Sequence, residues 1–96
     1  MVSRFEWDAD KDRSNQEKHG TTFAEALSVF ADVNGILIAD PDHSSAEERF
    51  ILIGISAQIH ILIVCHCYRE ADSVIRIISA RKAVRHERFT YEERLP

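Results

Sequence analysis

Between Glu48 and Ser79 the chain alternates isoleucine, leucine and valine with other residues in three runs separated by only a few positions. Alternation of period two puts successive side chains on opposite faces of a sheet. Gaps this short allow hairpins and exclude crossover helices. The pattern therefore predicts three antiparallel strands over residues 48–56, 59–68 and 73–79. Phe50 to Cys67 approaches the length of a membrane span, but Gly54, Ser56, Gln58, His60 and His66 interrupt it. The break at Ser56-Ala57-Gln58 reads as a tight turn, and no membrane association is expected.

Upstream, Arg4 to Asp8 alternates polar and aromatic residues as a short edge strand does. Asp8 is placed to cap a helix over Ala9 to Lys18, with Asp10 and Asp12 favourable in its first turn and Gly20 able to end it. Thr22 and Glu25 have capping-box spacing for a second helix, whose apolar stripe is Phe23, Ala26, Leu27 and Phe30. Asn34-Gly35 leads into a strand at Ile36 to Ala39, and Asp40 to Ser45 is the longest irregular segment. From Arg81 to about Arg94 helix formers predominate. The predicted order is β-α-α-β-β-β-β-α. That is an α+β domain, an antiparallel sheet with two N-terminal helices packed on it and a C-terminal helix. Its 96 residues suffice for one domain, residues 1–96, with a modest core.

The formal charge of −4 argues against a general nucleic-acid coat, yet it hides an asymmetry. Residues 1–48 hold four Lys/Arg against eleven Asp/Glu, and residues 49–96 hold eight against five. A basic face can therefore coexist with an acidic remainder. The two cysteines, Cys65 and Cys67, lie two apart in a strand, badly placed to bond to each other. Reduced core thiols and an N-terminus without a hydrophobic signal core suit a cytoplasmic protein.

The cations concentrate in the last strand and just beyond it: Arg76, Arg81, Lys82 and Arg85. Strand interiors rarely keep a cation without a partner or a task, and guanidinium forks match phosphate oxygens. Parity puts His60, Leu62, Val64, His66 and Tyr68 on one face, and Ile59, Ile61, Ile63, Cys65 and Cys67 on the other. In the last strand Val74, Arg76, Ile78 and Ala80 oppose Ile75, Ile77 and Ser79. The all-aliphatic face is predicted to meet the N-terminal helices. His66 and Arg76 would then share an open face beside the terminal helix. Such a face could cleave RNA without a metal, the 2′-hydroxyl attacking the adjacent phosphate while arginines offset the growing charge. His66 can act as base or acid, with Glu48 as a second candidate base. Arg49, Arg76 and Arg81 would hold the phosphate, aided by Lys82 and Arg85 where the helix is expected to begin. Tyr68 or Tyr91 could stack on a base.

No metal or other cofactor is expected. Cys65-His66-Cys67 projects to alternate faces, and no CxxC or HxxxH spacing supports it even if His19 or His43 joined from loops. Asp40, Asp42, Glu47 and Glu48 read as solvated or turn-capping carboxylates. The bland alternatives are a salt bridge between Arg76 and Glu48, with Arg85 and Arg88 simply facing water.

Together these residues resemble the BrnT family of bacterial toxins, the nuclease half of BrnT/BrnA toxin–antitoxin pairs. The matching pieces are Phe5-Glu6-Trp7-Asp8 with Lys11, Asn15 with Lys18-His19-Gly20, and Phe23 with Glu25-Ala26. They continue with Asp42-His43-Ser44, Glu47-Glu48-Arg49-Phe50, Ile53-Gly54, and Arg76 through Ala83, then Glu87 and Tyr91-Glu92. The resemblance implies a RelE-like fold and an endoribonuclease toxin of a type II system that cleaves mRNA, on or off the ribosome, and arrests translation. It also implies a BrnA-like antitoxin, operator DNA reached only through that antitoxin, and leaves room for a homodimer. Roles carry over to His66, Arg76, Arg81 and Lys82, and to Glu48 and Arg49 at the start of the first long strand. On the strand over residues 59–68, Cys65-His66-Cys67 departs from the Val-His-Thr that the resemblance leads one to expect. The rival expectation is a non-catalytic protein- or nucleic-acid-binding module, such as an inactivated toxin.

Overall fold

The computed structural model describes residues 1–44 and 46–96. In chain order the elements are β1 (Arg4–Glu6), α1 (Ala9–His19), α2 (Phe23–Ser28) with a 3-10 turn at Val29–Ala31, and β2 (Ile36–Ala39). A second 3-10 turn (Pro41–His43), β3 (Phe50–Ile55), β4 (Ile61–Arg69), β5 (Val74–Lys82) and α3 (Arg85–Glu93) follow. The five strands form one sheet in the order β1-β5-β4-β3-β2. The predicted α+β class and element order hold. The sheet is mixed, however, because β1 joins β5 in parallel.

The parallel edge has a local cause. The N-terminal segment follows β5 in one direction: Arg4 lies beside Val74 and Glu6 beside Arg76. After three residues the segment becomes α1, capped by the Asp8 carboxylate, which accepts from the N–H groups of Asp10 and Lys11. The upper half of β5 then has no strand on that side. Asn15 of α1, which is buried, fills the gap. Its side-chain amide donates to the Ala80 carbonyl at 2.7 Å and accepts from the Ala80 N–H at 3.1 Å, as a neighbouring strand would. The same amide nitrogen donates to Thr21 O at 2.8 Å, fixing the α1–α2 corner. Gly20 makes that corner possible with φ of 66°, a left-handed conformation that costs glycine little. Thr22 caps α2 as predicted, its hydroxyl accepting from the Glu25 N–H at 3.0 Å. Glu25 does not return the bond; it turns inward to Ser56 Oγ (2.7 Å) and His60 Nδ1 (2.8 Å).

The two layers pack on the sheet the opposite way round from the parity reading. Phe23, Ala26 and Val29 bury Leu52, Leu62, Val64, Ile77 and Ala80, so the even-numbered face of β4 meets the N-terminal helices. The aliphatic face, with Ile36, Ile53 and Ile63, lies under Ala83 and Tyr91 at the C-terminal end. Both faces are apolar along much of β4, so alternation could not say which helix covers which. Parity along β5 fails for a second reason. Cys65 pairs with Ser79 and His66 with Ile77, so Ile78 is an extra residue in β5. Below this bulge Ile75 and Ile77 face the N-terminal helices. Arg76 turns to the opposite face from His66.

β5 also runs further than predicted. Arg81 pairs with Ile63 and Lys82 with Leu62, and α3 starts only after Val84. Pairing with β4 overrides the local helix preference of these residues. At the same end Asp32 ties three elements together. Its carboxylate accepts from the Ile55 N–H (2.8 Å) and the Tyr91 hydroxyl (2.5 Å). Burial and this carboxylate push the Tyr91 hydroxyl up to about 12. Gly54 allows the approach, since a Cβ there would sit 2.8 Å from Val29 Cγ1 and 3.0 Å from Asp32 Oδ2.

Two stability outcomes are expected. Asn15→Leu leaves the Ala80 amide and the Thr21 carbonyl without partners in a buried place, so the loss should be about 3 kcal/mol. Urea unfolding measures it, and a loss below about 1 kcal/mol would mean that water replaces the amide. His66 is fully buried, and burial pulls its pKa below the ordinary 6.5. The unfolded chain therefore binds the extra proton, and the stability due to the neutral ring is present above pH 6.5 and lost on acidification below it. His66→Phe should flatten the acid-side decline in urea midpoint that begins near that pH; an unchanged slope assigns the decline elsewhere.

Candidate functional site

The α3 layer covers only one end of its face of the sheet. Beyond Tyr91 the strands present Ile51 from β3, Ile63 and Cys65 from β4, and Ser79 and Arg81 from β5 on a common side, with Arg49 just before β3. The chain entering the 3-10 turn adds Asp40, which lies opposite Arg49 and donates its N–H to the Arg49 carbonyl at 2.9 Å. These residues and His43 line an open groove of about 200 Å³. Its floor is apolar and its rim carries two guanidinium groups, an imidazole and a hydroxyl.

The loop that brings in the imidazole is built from short-range bonds. Asp40 is buried, while His43 is exposed. His43 Nδ1 lies 2.9 Å from Asp40 Oδ2. A carboxylate there is an acceptor, so Nδ1 carries the hydrogen and Nε2 is left as the free acceptor. Ser44 locks the loop to β3: its hydroxyl donates to the Asp40 carbonyl at 2.6 Å and accepts from the Arg49 N–H at 2.9 Å. Pro41 at the start of the 3-10 turn suits this geometry, since its fixed φ needs no hydrogen-bond donor.

Arg81 is held from the other side. Its Nη1 and Nη2 donate to the two carboxylate oxygens of Glu87 at 2.7 and 2.9 Å. One Glu87 oxygen also accepts from the Val84 N–H at 2.9 Å, so the same carboxylate fixes the first turn of α3. The Arg81 guanidinium and the Val84 amide keep the Glu87 carboxyl below its usual range despite partial burial. A guanidinium has five N–H donors, and the fork to Glu87 leaves donors for an anion in the groove. Arg49 is half-buried and takes part in no ion pair among the described residues. Burial pushes the Cys65 thiol up, against a smaller opposite pull from Arg49, so it stays protonated and is a poor nucleophile. Two guanidinium groups, one hydroxyl and a carboxylate-oriented imidazole can together bind an oxyanion and accept a proton beside it.

Of the residues proposed from sequence, the structure brings Arg49 and Arg81 together and leaves the others elsewhere. His66 is buried among Phe30, Phe50 and Tyr68, with ring centroids 4.9, 6.2 and 5.4 Å away. Its Nδ1 meets the Val64 carbonyl at 3.1 Å, and Nε2 has no partner among the described residues. It is closed off from solvent on the face that the N-terminal helices cover. Arg76 donates to Glu6 at 2.8 Å rather than to Glu48, on the side of the sheet away from His66. Glu48 lies on the rim of a separate cavity with Phe50 and Tyr68. Lys82 flanks His60 and Arg88. Arg85 lies on the outer surface of α3 beside Phe89. Two residues, Ala83 and Val84, separate Lys82 from α3, so neither it nor Arg81 sits at a helix start. Among the described residues no group of three or more His, Cys, Asp or Glu is placed to hold a metal, and no helix is long and apolar enough to cross a membrane. The Asp40–His43 pair was missed as a catalytic candidate. Only His43 had a signal, since it lies in Asp42-His43-Ser44, one of the pieces that carry the resemblance read from the sequence.

A family profile described as "Ribonuclease toxin, BrnT, of type II toxin-antitoxin system" matches residues 7–87, a span that contains every groove residue named above. The fold is similar to the crystal structure of the Brucella abortus ribonuclease toxin BrnT, with a TM-score of 0.63 and 23% sequence identity. That match covers 88% of this chain and 100% of the other. No curated protein matches the chain by sequence. The resemblance read from the residues thus agrees with a profile match over most of the sequence and with an independent likeness of fold: the chain belongs to the BrnT family of ribonuclease toxins of type II toxin–antitoxin systems.

Proposed function

We propose that the groove between the Asp40–His43 turn and the end of β5 is the ribonuclease site, that it cleaves mRNA without a metal ion, and that this arrests translation. The observation that carries the reading is the pair of guanidinium groups, Arg49 and Arg81, on one open groove with an imidazole oriented by a buried carboxylate. In this reading His43 Nε2 takes the proton of the 2′-hydroxyl, and the 2′-oxygen forms a bond to the adjacent phosphorus. The bond to the 5′-oxygen breaks, that oxygen takes a proton from solvent at the open end, and a 2′,3′-cyclic phosphate remains. Arg49 and Arg81 offset the charge that grows on the phosphoryl oxygens, the task a metal would otherwise perform. A BrnA-like antitoxin is the partner that silences the site, and operator DNA is met through that antitoxin.

Purified protein incubated with RNA in EDTA is expected to yield cyclic-phosphate ends. Arg49→Ala, Arg81→Ala and His43→Ala should each lower kcat by about a hundred-fold or more, with melting temperatures near that of the parent. His66→Phe and Arg76→Ala should stay within a few-fold of it. RNA left intact by the parent protein, both free and on ribosomes, would overturn the catalytic reading. Salt-sensitive RNA binding without cleavage would favour a non-catalytic binding module.

A further inference from the structure

The ribonuclease groove does not end at β5. Ser79 and Ile78 form its far wall and also the near wall of a second depression, of about 170 Å³, which opens on α1. The other wall of that depression is a stripe of α1 that includes Lys11, Ser14, Lys18 and His19. Residues seven apart in a helix lie two turns apart on one side. Lys11 and Lys18 therefore flank Asn15, the residue whose amide is bonded to the free edge of β5. That bond fixes the stripe at the lip of the groove.

The charges on α1 are sorted by face. Arg13 is paired with Asp10 at 2.9 Å, and Asp12 is engaged by the Phe23 N–H at 2.9 Å. Neither Lys11 nor Lys18 belongs to an ion pair among the described residues. Two uncommitted ammonium groups, with His19 beside them, thus continue the line of Arg49 and Arg81 in a chain whose overall charge is −4. The two depressions meet at Ile78 and Ser79, where β5 has no neighbouring strand on the β1 side because β1 pairs only with Val74 to Arg76.

We infer that Lys11 and Lys18 form a second phosphate-binding subsite for single-stranded RNA, so that the strand leaves the cleavage groove past Ser79 and runs along α1. The inference rests on the proposed ribonuclease reading and adds to it the direction of the substrate and its minimum extent. The contacts are electrostatic and read no base, so they strengthen binding without selecting sequence. Lysines suit this task, since an ammonium on a flexible stem follows a backbone without demanding one geometry.

The test is steady-state cleavage of an unstructured synthetic RNA oligonucleotide at several salt concentrations. The double substitution Lys11→Ala/Lys18→Ala should raise KM about ten-fold with kcat within two-fold. It should also lower the slope of log KM against log salt by about 1.4, because each lost phosphate contact on a single strand contributes about 0.7. Arg13→Ala, on another face of the same helix, should leave that slope unchanged. A parent protein that cleaves, with the same salt slope in the double variant, overturns the subsite and leaves the ribonuclease reading standing. A fall in kcat with no change in slope also overturns it, since the lysines would then act on the site through structure. A parent protein that neither binds nor cuts RNA removes the ribonuclease reading, and this inference with it.

Discussion

One extra residue in β5 governs what the sheet can present. Because Ile78 is left over between the Ser79–Cys65 and Ile77–His66 pairs, the two halves of β5 are out of phase. Above the bulge, Ser79 and Arg81 share the open face with Cys65 and Ile63, while Ala80 goes into the core under α2. Below it, Ile77 replaces the residue that strict alternation would have buried, and Arg76 is sent to Glu6 at the sheet edge. Regular pairing throughout would have put Arg76 on the same face as His66 and left Ile77 against solvent. The bulge thus preserves burial on both faces while keeping one arginine on the groove.

The groove is rigid because its parts are tied to different elements. β5 has β4 on one side, and on the other it has β1 and then the Asn15 amide, so its backbone groups around Ala80 are satisfied where no strand reaches. The Asp40 turn is stitched to β3 by Ser44, and the Glu87 carboxylate joins the end of β5 to the first turn of α3. A site on sheet residues with locked loops holds geometry better than one on free loops. The overall charge of −4 does not fix the local potential, which follows from where the charges lie. Glu6, Glu47, Glu70 and Glu87 each lie against an arginine. Arg49, Lys11 and Lys18 belong to no ion pair among the described residues, and they line two depressions that share Ile78 and Ser79.

Much of this could be read along the chain. Asp8 and Thr22 as helix caps, Gly20 as a stop and the hairpins of the three long strands all depend on neighbours within a few residues, and all agree with the structure. The family likeness was legible too, because its pieces recur in order over nearly the whole length. The candidate groove was only half legible. Of the residues singled out in the sequence for phosphate binding, Arg49 and Arg81 line it. Arg76 was placed by assuming unbroken alternation, which the bulge breaks, and His66 by assuming that the N-terminal helices cover the other face of β4. Asp40 and His43 lie in an irregular turn where periodicity gives no bearing, so their meeting with Arg49 had no local signal beyond the family pieces.

The sequence by itself determined the elements, their caps and the hairpin pairing, since these follow from dihedral preference and from periodicity in stretches of ten residues or so. Only the tertiary structure decided which face of the sheet each helix would cover. Both faces of β4 are apolar enough to be buried, and the choice rests on how Phe23, Val29 and Tyr91 fit against the twisted sheet at long range. That choice buried His66 and left Cys65, Ser79 and Arg81 lining the open groove.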